Sequence, residues 1–383
     1  MIASNKEPES VYIHIPFCSH KCDFCDFAAF SGLDNKEDEY TDALLKEMDE
    51  RLAARPKGGR LNTVFYGGGT PGLAQLSTIT KIQAALKKQF DIAHDAEVSL
   101  ETTPHAISVD KAKEWLKMGI NRLSIGIESF HDNELTAMGR DHTRAMAFAG
   151  IEAAHQAGFS NISLDFMYGL PMQTLDSFKS SLEEAIALSS RIGIQHISAY
   201  GLEIAINAPL LLRYPRDSKS YPDEEQFVAM YELLVQTLRK AGFAQYEISN
   251  FARPGYESRH NIVYWKNEPY FAFGVGAHRY VDGVRSGNSK SFNKYLRNYL
   301  EGEQSEVIDE AGQILEGIML GLRMVKGIHL EEFKSQYGVD IAVLKQKEIS
   351  LFTGEGLMEL SDGYLKITER GLPISNSIIA RLI

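Results

Sequence analysis

Residues 11–25 read VYIHIPFCSHKCDFC: an apolar, β-branched run that suits a buried strand, then a loop holding Cys18, Cys22 and Cys25, the only cysteines among 383 residues. Three thiols cannot all pair within one chain, and so tight a group is a poor disulfide framework, so metal ligation is the better reading. Spacings of four and three residues suit a short loop wrapped around one object. On the residues alone three readings stay open. The thiols are unconnected and buried; or they hold zinc, with His14 or His20 as fourth ligand; or they hold three irons of a four-iron cluster and leave the fourth open to a substrate or cofactor.

The strand-then-loop pattern recurs downstream. NTVFYG (62–67), EVSLET (97–102), RLSIGIES (122–129), NISLDFMYGL (161–170) and QHISAYGLE (195–203) read as buried strands. Between them the spacing is helical: Tyr40, Leu44, Met48 and Leu52 recur every four residues, as do Ile82, Leu86 and Phe90. Six βα units predict an α/β fold with a parallel sheet, doubly wound or curled into part of a barrel. In either form ligand chemistry belongs at the C-terminal strand ends. The cysteines, GGGTP (67–71), Glu101, Glu128 and Asp165 all fall at such ends.

Each of these has a plainer reading. Gly67, Gly68 and Gly69 make a turn as readily as a ligand cradle, in which bare backbone would approach a bound group. Asp165 lies within an apolar strand, where an unpaired carboxylate is costly, and Arg140 is a candidate partner.

After Tyr221 the pattern changes. An amphipathic helix over about 221–241 ends at Gly242, and a Gly-, Asn- and aromatic-rich stretch follows, YEISNFARPGYESRHNIVYWKNEPYFAFGVGAHRY (246–280). From about 305 come short helices, then GLMELSDGYLKITERG (356–371), two strands around the turn Ser361-Asp362-Gly363, a winged-helix pattern. That tail holds 12 acidic and 8 basic residues and the whole chain carries a net charge of −11, which argues against nucleic acid as a partner. Hydrophobic residues make up 44% of the chain, ample for a sizeable core. The first ten residues, MIASNKEPES, hold no apolar stretch, and no run is long enough for a transmembrane segment, so a cytoplasmic location is expected.

Cys18-x3-Cys22-x2-Cys25, with Phe24 before the last cysteine and a strand before the first, resembles the signature of the radical S-adenosylmethionine (SAM) enzymes. The resemblance implies a partial (βα)6 TIM-like barrel with a C-terminal α+β, winged-helix-like domain. It implies a [4Fe–4S] cluster on Cys18, Cys22 and Cys25, whose open iron takes the methionine amino and carboxylate groups of SAM. It further implies SAM contacts from Tyr12, Phe24, Gly68, Gly69, Thr70, Glu101 (in an E-x-x-P element), Arg140 and Asp165. At Glu128 the chain departs from that pattern. The family reads G-x-Q-S-F where this sequence has GIESF, and an ionised glutamate accepts hydrogen bonds but cannot donate them.

VYIHIPFC, GGGTP, LDFMYGLP and the acidic tail are similar to the oxygen-independent coproporphyrinogen III dehydrogenase group. That group holds dehydrogenases, which decarboxylate two propionates of a haem precursor, and haem chaperones. The dehydrogenases carry a further cysteine two residues after the third, where this chain has Phe27, and a long segment before the first strand. HNIVYW, with His260, Asn261, Tyr264 and Trp265, matches an H-N-x-x-Y-W element associated with haem in the chaperones. Taken alone it reads as a core histidine with aromatic packing. With the resemblance, His260 is the expected haem ligand and His278, in GVGAHRY, its rival.

The expectation is therefore a haem (heme) chaperone with [4Fe–4S] and SAM sites, passing haem to respiratory haemoproteins at the membrane or elsewhere. The alternative is a radical enzyme that oxidises a tetrapyrrole side chain; coproporphyrinogen turnover is not expected. Monomer and oligomer are both left open. The expected divisions are 1–220 (core), 221–304 (connecting region with the hexapeptide) and 305–383 (tail domain).

Overall fold

The computed structural model describes residues 6–383. Nine strands share one sheet: β1 (Ser10–Ile15), β2 (Gly59–Gly68), β3 (Phe90–Thr102), β4 (Arg122–Glu128), β5 (Ile162–Tyr168), β6 (His196–Gly201), β7 (Ala244–Gln245), β8 (Asn250–Ala252) and β9 (Phe271–Phe273). Their order is β9-β1-β2-β3-β4-β5-β6-β8-β7. All pairings from β9 to β6 are parallel, and β8 and β7 close that side antiparallel. Helices α1 (Glu37–Leu52), α2 (Leu76–Gln89), α3 (Val109–Lys117), α4 (Arg144–Ala157), α5 (Leu175–Ile192) and α6 (Glu224–Lys240) follow the first six strands in turn. The result is the expected α/β, partial (βα)6 barrel.

Strand alternation decides which side chains meet the helices and which line the inside. Val11, Ile13 and Ile15 of β1, with Leu123, Ile125 and Ile127 of β4, are fully buried in one core with Leu44 and Met48 of α1 and Ile79, Ile82 and Leu86 of α2. Each such side chain contributes about 1.5–3 kcal/mol by leaving water. The alternate positions are polar and meet one another inside the curl. Ser124 and Ser163 donate to Asp165 at 2.7 and 2.9 Å, and Ser163 Oγ lies 2.8 Å from His196 Nδ1, whose Nε2 is 2.9 Å from the Tyr246 hydroxyl. Serine hydroxyls, not Arg140, are thus the hydrogen-bond partners of Asp165, because the two serines sit on the same inward face at neighbouring register positions.

Strand β3 starts seven residues before the expected EVSLET, directly from the last residue of α2. Helix α6 begins three residues later than expected, where Asp223 and Gln226 form a capping box. The stretch 221–304 does more than connect, since β7, β8 and β9 all come from it and flank the sheet on both sides. Within it, α7 (Arg259–Trp265) carries the hexapeptide, and a hairpin of His278–Val281 and Val284–Gly287 follows β9.

The tail is a bundle of short helices, among them α8 (Glu310–Gly321), on a three-stranded antiparallel sheet. Its two longer strands, Met358–Ser361 and Tyr364–Ile367, pair around Asp362 and Gly363, both at positive φ (52° and 79°), as expected of a wing. Among the described residues no helix is long and apolar enough to cross a membrane.

Candidate functional site

The cysteine loop is closed at its base. Phe17–Cys18 pairs in parallel with Phe30–Ser31, and Phe30 N–H donates to Pro16 O at 2.7 Å, so the chain returns to where it left β1. Two further elements hold the loop from above: Asp23 N–H donates to Met138 O at 3.3 Å, and Asp23 O accepts from Leu210 N–H at 3.0 Å. Arg213 adds an ion pair to the Asp23 carboxylate at 2.8 Å. Phe24 packs on an apolar cluster of Met138, Met167, Leu170 and Leu210. The loop's hold on the rim is therefore built from the ends of three strands as well as its own.

Each thiol has a polar neighbour. Thr70 Oγ1 lies 3.6 Å from Cys18 Sγ, and Arg140 Nη1 donates to Cys22 Sγ at 3.1 Å. The Cys25 thiol meets the Phe27 backbone amide, and Cys25 N–H turns back to Cys22 O at 3.1 Å. Burial raises all three thiols, Cys18 to about 11, and the charges of the other cysteines add to the rise at Cys18. Such thiols gain from a cationic centre that stabilises their ionised form. Among the described residues no three His, Cys, Asp or Glu side chains converge as ligands of one ion must. A four-iron cluster would take one thiolate on each of three irons, so it would not require the three thiols to converge on a single ion. His14 is not available as a fourth ligand: its Nδ1 lies 3.1 Å from the Tyr12 hydroxyl and its Nε2 2.9 Å from Ala28 O. His20 is exposed on the loop.

Beside the thiols stand the charged groups. Glu101 Oε2 accepts from Gly68 N–H at 3.0 Å, and burial, reinforced by Asp165, pushes its carboxyl up to about 7. Arg140 holds Gly126 O at 2.8 Å and lies 3.6 Å from Glu128, while its Nε is buried without a partner. Glu128 has φ of 62° and sits at a register shift between β4 and β5, which turns its side chain toward Arg140. Burial raises this carboxyl and Arg140 opposes the rise. A cation at Arg140 and a carboxyl at Glu101 offer complementary contacts to a zwitterionic amino acid group.

The glycines owe their lack of side chains chiefly to the protein itself. A Cβ on Gly68, at φ 123°, would come 2.7 Å from the His14 ring, and one on Gly69 would come 2.7 Å from the Pro16 backbone. They let β2 pass close to the end of β1, which places Thr70 on Cys18.

The hexapeptide lies elsewhere. It lies on α7, whose first amides, those of Arg259 and His260, both donate to the Glu97 carboxylate at 3.0 Å, midway along β3, and its Tyr264 packs in one apolar cluster with Tyr12. His260 is 1% exposed. Its Nδ1 lies 2.7 Å from Thr63 Oγ1 and its Nε2 2.7 Å from the Tyr264 hydroxyl, and its ring stacks on Phe65 with centroids 5.0 Å apart. Both nitrogens therefore have a protein neighbour in this structure. Asn261 and Trp265 are half-buried on α7, and the Arg323 guanidinium lies 5.7 Å from the Trp265 ring. His278 is exposed at the start of the hairpin that follows β9.

Sequence reasoning missed the ties from Met138, Leu210 and Arg213 to the loop. No local pattern marks them, since the contact of Arg213 with Asp23 spans 190 residues.

A family model for the radical SAM superfamily matches residues 12–185, and one for the HemN C-terminal domain matches 308–374. Heme chaperone HemW of Bacillus subtilis is 34% identical over 98% of this chain and 99% of its own length. Heme chaperone HemW of Escherichia coli is 32% identical over 97% of each. Among solved structures, the E. coli radical SAM enzyme coproporphyrinogen III oxidase (HemN) superposes with a TM-score of 0.84 at 22% identity, covering 99% of this chain and 91% of that one.

Proposed function

This chain belongs to the radical SAM superfamily and, within it, to the HemW family, and from that premise we propose that it binds haem and passes it to respiratory haemoproteins. What carries the reading is likeness over nearly the whole chain to proteins named haem chaperones, against a likeness in fold alone to the coproporphyrinogen oxidase. Phe27, exposed where the dehydrogenases place a fourth cysteine, supports it.

In this proposal Cys18, Cys22 and Cys25 hold a [4Fe–4S] cluster, and Tyr12, Phe24, Gly68, Gly69, Thr70, Glu101, Glu128, Arg140 and Asp165 surround SAM. When bound, the cluster supplies one-electron chemistry and an open iron for the methionine group. The chain's own residues do the positioning. Arg140 keeps an N–H on the Cys22 sulfur, and its cation favours a carboxylate nearby. Glu101, half protonated near neutrality, gains a full charge opposite an ammonium group. Residues 6–220 form the core, 221–304 complete the sheet, and 305–383 form the tail domain; the location is cytoplasmic.

One anaerobic preparation tests the reading. After cluster reconstitution, haem binding, SAM cleavage and coproporphyrinogen conversion are measured on the same sample. Haem uptake without coproporphyrinogen turnover is expected; turnover with no haem uptake would replace the chaperone by the dehydrogenase.

A further inference from the structure

After the short helix Asp132–Ala137, four consecutive residues run along the cysteine loop, and each touches it. Met138 O accepts from Asp23 N–H, and Gly139, at φ 67°, passes so close that a Cβ would come 2.8 Å from the Asp23 carboxyl carbon. Arg140 donates to the Cys22 sulfur, and Asp141 Oδ2 accepts from the Ser19 hydroxyl at 2.5 Å. That last contact has a third member. His105, in the turn that follows β3, places Nε2 3.2 Å from Ser19 Oγ and Nδ1 3.5 Å from Asp141 Oδ1. The donors follow from the atoms: Ser19 has one proton, an ionised carboxylate only accepts, and so His105 Nε2 carries the hydrogen that Ser19 Oγ takes. Partial burial works against the charge on Asp141, but the Ser19 bond, then His105 and Arg140, hold its carboxyl below the ordinary range.

Ser19 follows Cys18, Asp141 follows Arg140 and His105 follows Pro104 of the Glu101-x-x-Pro104 stretch, so one carboxylate ties three segments that each carry a site residue. We infer that Asp141 is a positioning residue of the SAM site: through Ser19 and His105 it holds the cysteine loop, Arg140 and the turn after Glu101 in one frame, so that the open iron and the groups meeting the methionine end of SAM keep a single spacing. This rests on the SAM site proposed above and adds to it residues that act through Cys18 and Arg140. Arg140 does not supply the hold alone. Its guanidinium is divided among Cys22, Gly126 O and Glu128, and bonds at the tip of a long side chain leave the backbone behind it free to shift. Asp141 fixes that backbone one residue on. A hydrogen bond to an ionised carboxylate is short and strong, and the Asp141 and His105 side chains, 30% and 18% exposed, are partly shielded from competing water. Misplacement of a binding group by about 1 Å is enough to spoil its contacts.

The experiment is an anaerobic SAM titration of the cluster-reconstituted full chain by calorimetry, with electron paramagnetic resonance of the reduced cluster recorded with and without SAM, and iron and sulfide counted on the same samples. Asp141→Ala and Ser19→Ala should keep the wild-type iron and sulfide content but bind SAM on the order of tenfold more weakly, as loss of a charge-assisted bond would give. Both should show a smaller SAM-induced spectral change at the concentration that just saturates the wild type. Ser19→Thr keeps the hydroxyl and Asp141→Asn keeps an oxygen acceptor, so each should restore most of the affinity. SAM binding within about twofold of wild type in both alanine variants, or a weakening that only follows loss of iron, would overturn the positioning role. A wild-type chain that loads iron and sulfide yet binds no SAM would overturn the SAM site first, so the two failures are told apart.

Discussion

Arg140 answers to three groups at once, Gly126 O at 2.8 Å, the Cys22 sulfur at 3.1 Å and the Glu128 carboxylate at 3.6 Å. Glu128 therefore competes for the cation with any carboxylate that arrives from solution. Replacing Glu128 by Gln frees Arg140 and removes a repulsive charge, so SAM affinity should rise by about 1 kcal/mol for a partly screened pair; calorimetry on the reconstituted protein checks it, and weaker binding would refute it. Cys22→Ser should lose most of its bound iron and sulfide, since no other cysteine can replace it; near-normal loading would remove the cluster assignment. Glu101 makes a pH prediction. Its folded carboxyl, raised to about 7 against an ordinary 4.5, binds more protons than the unfolded one between those values, so it contributes falling stability as pH rises from about 4.5 to 7 and a constant penalty above. In the cofactor-free protein Glu101→Gln should remove that slope, seen as a flatter denaturation midpoint between pH 5 and 7.5. At this scale the cysteines stood out by their spacing, whereas Glu101 and Arg140 were singled out by resemblance to the family pattern. The partner of Asp165 was not, because the serines that meet it are defined by register between strands. Nor was the state of His260, whose contact with Thr63 spans 197 residues.

The βα units were legible as elements because each buries one face for its full length, so periodicity and position agree. Strand β9 was not. Three residues, Phe271–Phe273, leave no alternation to read in a Gly- and aromatic-rich stretch, and only their pairing with β1 makes them a strand. Helix α7 was hidden for a similar reason: at seven residues its place depends on Glu97 accepting two of its amides and on His260 bridging Thr63 and Tyr264. His260 is thus a strut beneath the sheet. Removing it opens a cavity beside Phe65 and strands two buried hydroxyls, so His260→Ala should lose about 3 kcal/mol of stability by urea denaturation, and Tyr264→Phe about 1 kcal/mol. Equal stability in both variants and wild type would contradict the strut.

Over the whole molecule, the tail is joined to the sheet domain by backbone as well as side chains. Glu247 bridges to Met324, Val325 N–H donates to Tyr246 O at 3.0 Å, and Arg239 pairs with Glu369 at 2.7 Å. The winged form was readable from its turn, but this docking was not, since the joining segments have no pattern of their own. The position of β9 bears on how the chain is made. During synthesis β1 emerges early and gains β2 soon after, yet its other edge stays uncovered until Phe271–Phe273 leaves the ribosome. Further fastening waits longer still: Glu47 of α1 accepts from Gly274, Asn288 and Tyr295. The cysteine loop thus hangs from a half-paired strand for most of translation, and metal delivery to a nascent chain would meet an unfinished seat. Ribosome-bound chains arrested at increasing length should acquire iron and sulfide only once residues through about 295 have been extruded, which makes cluster assembly a step for the completed polypeptide.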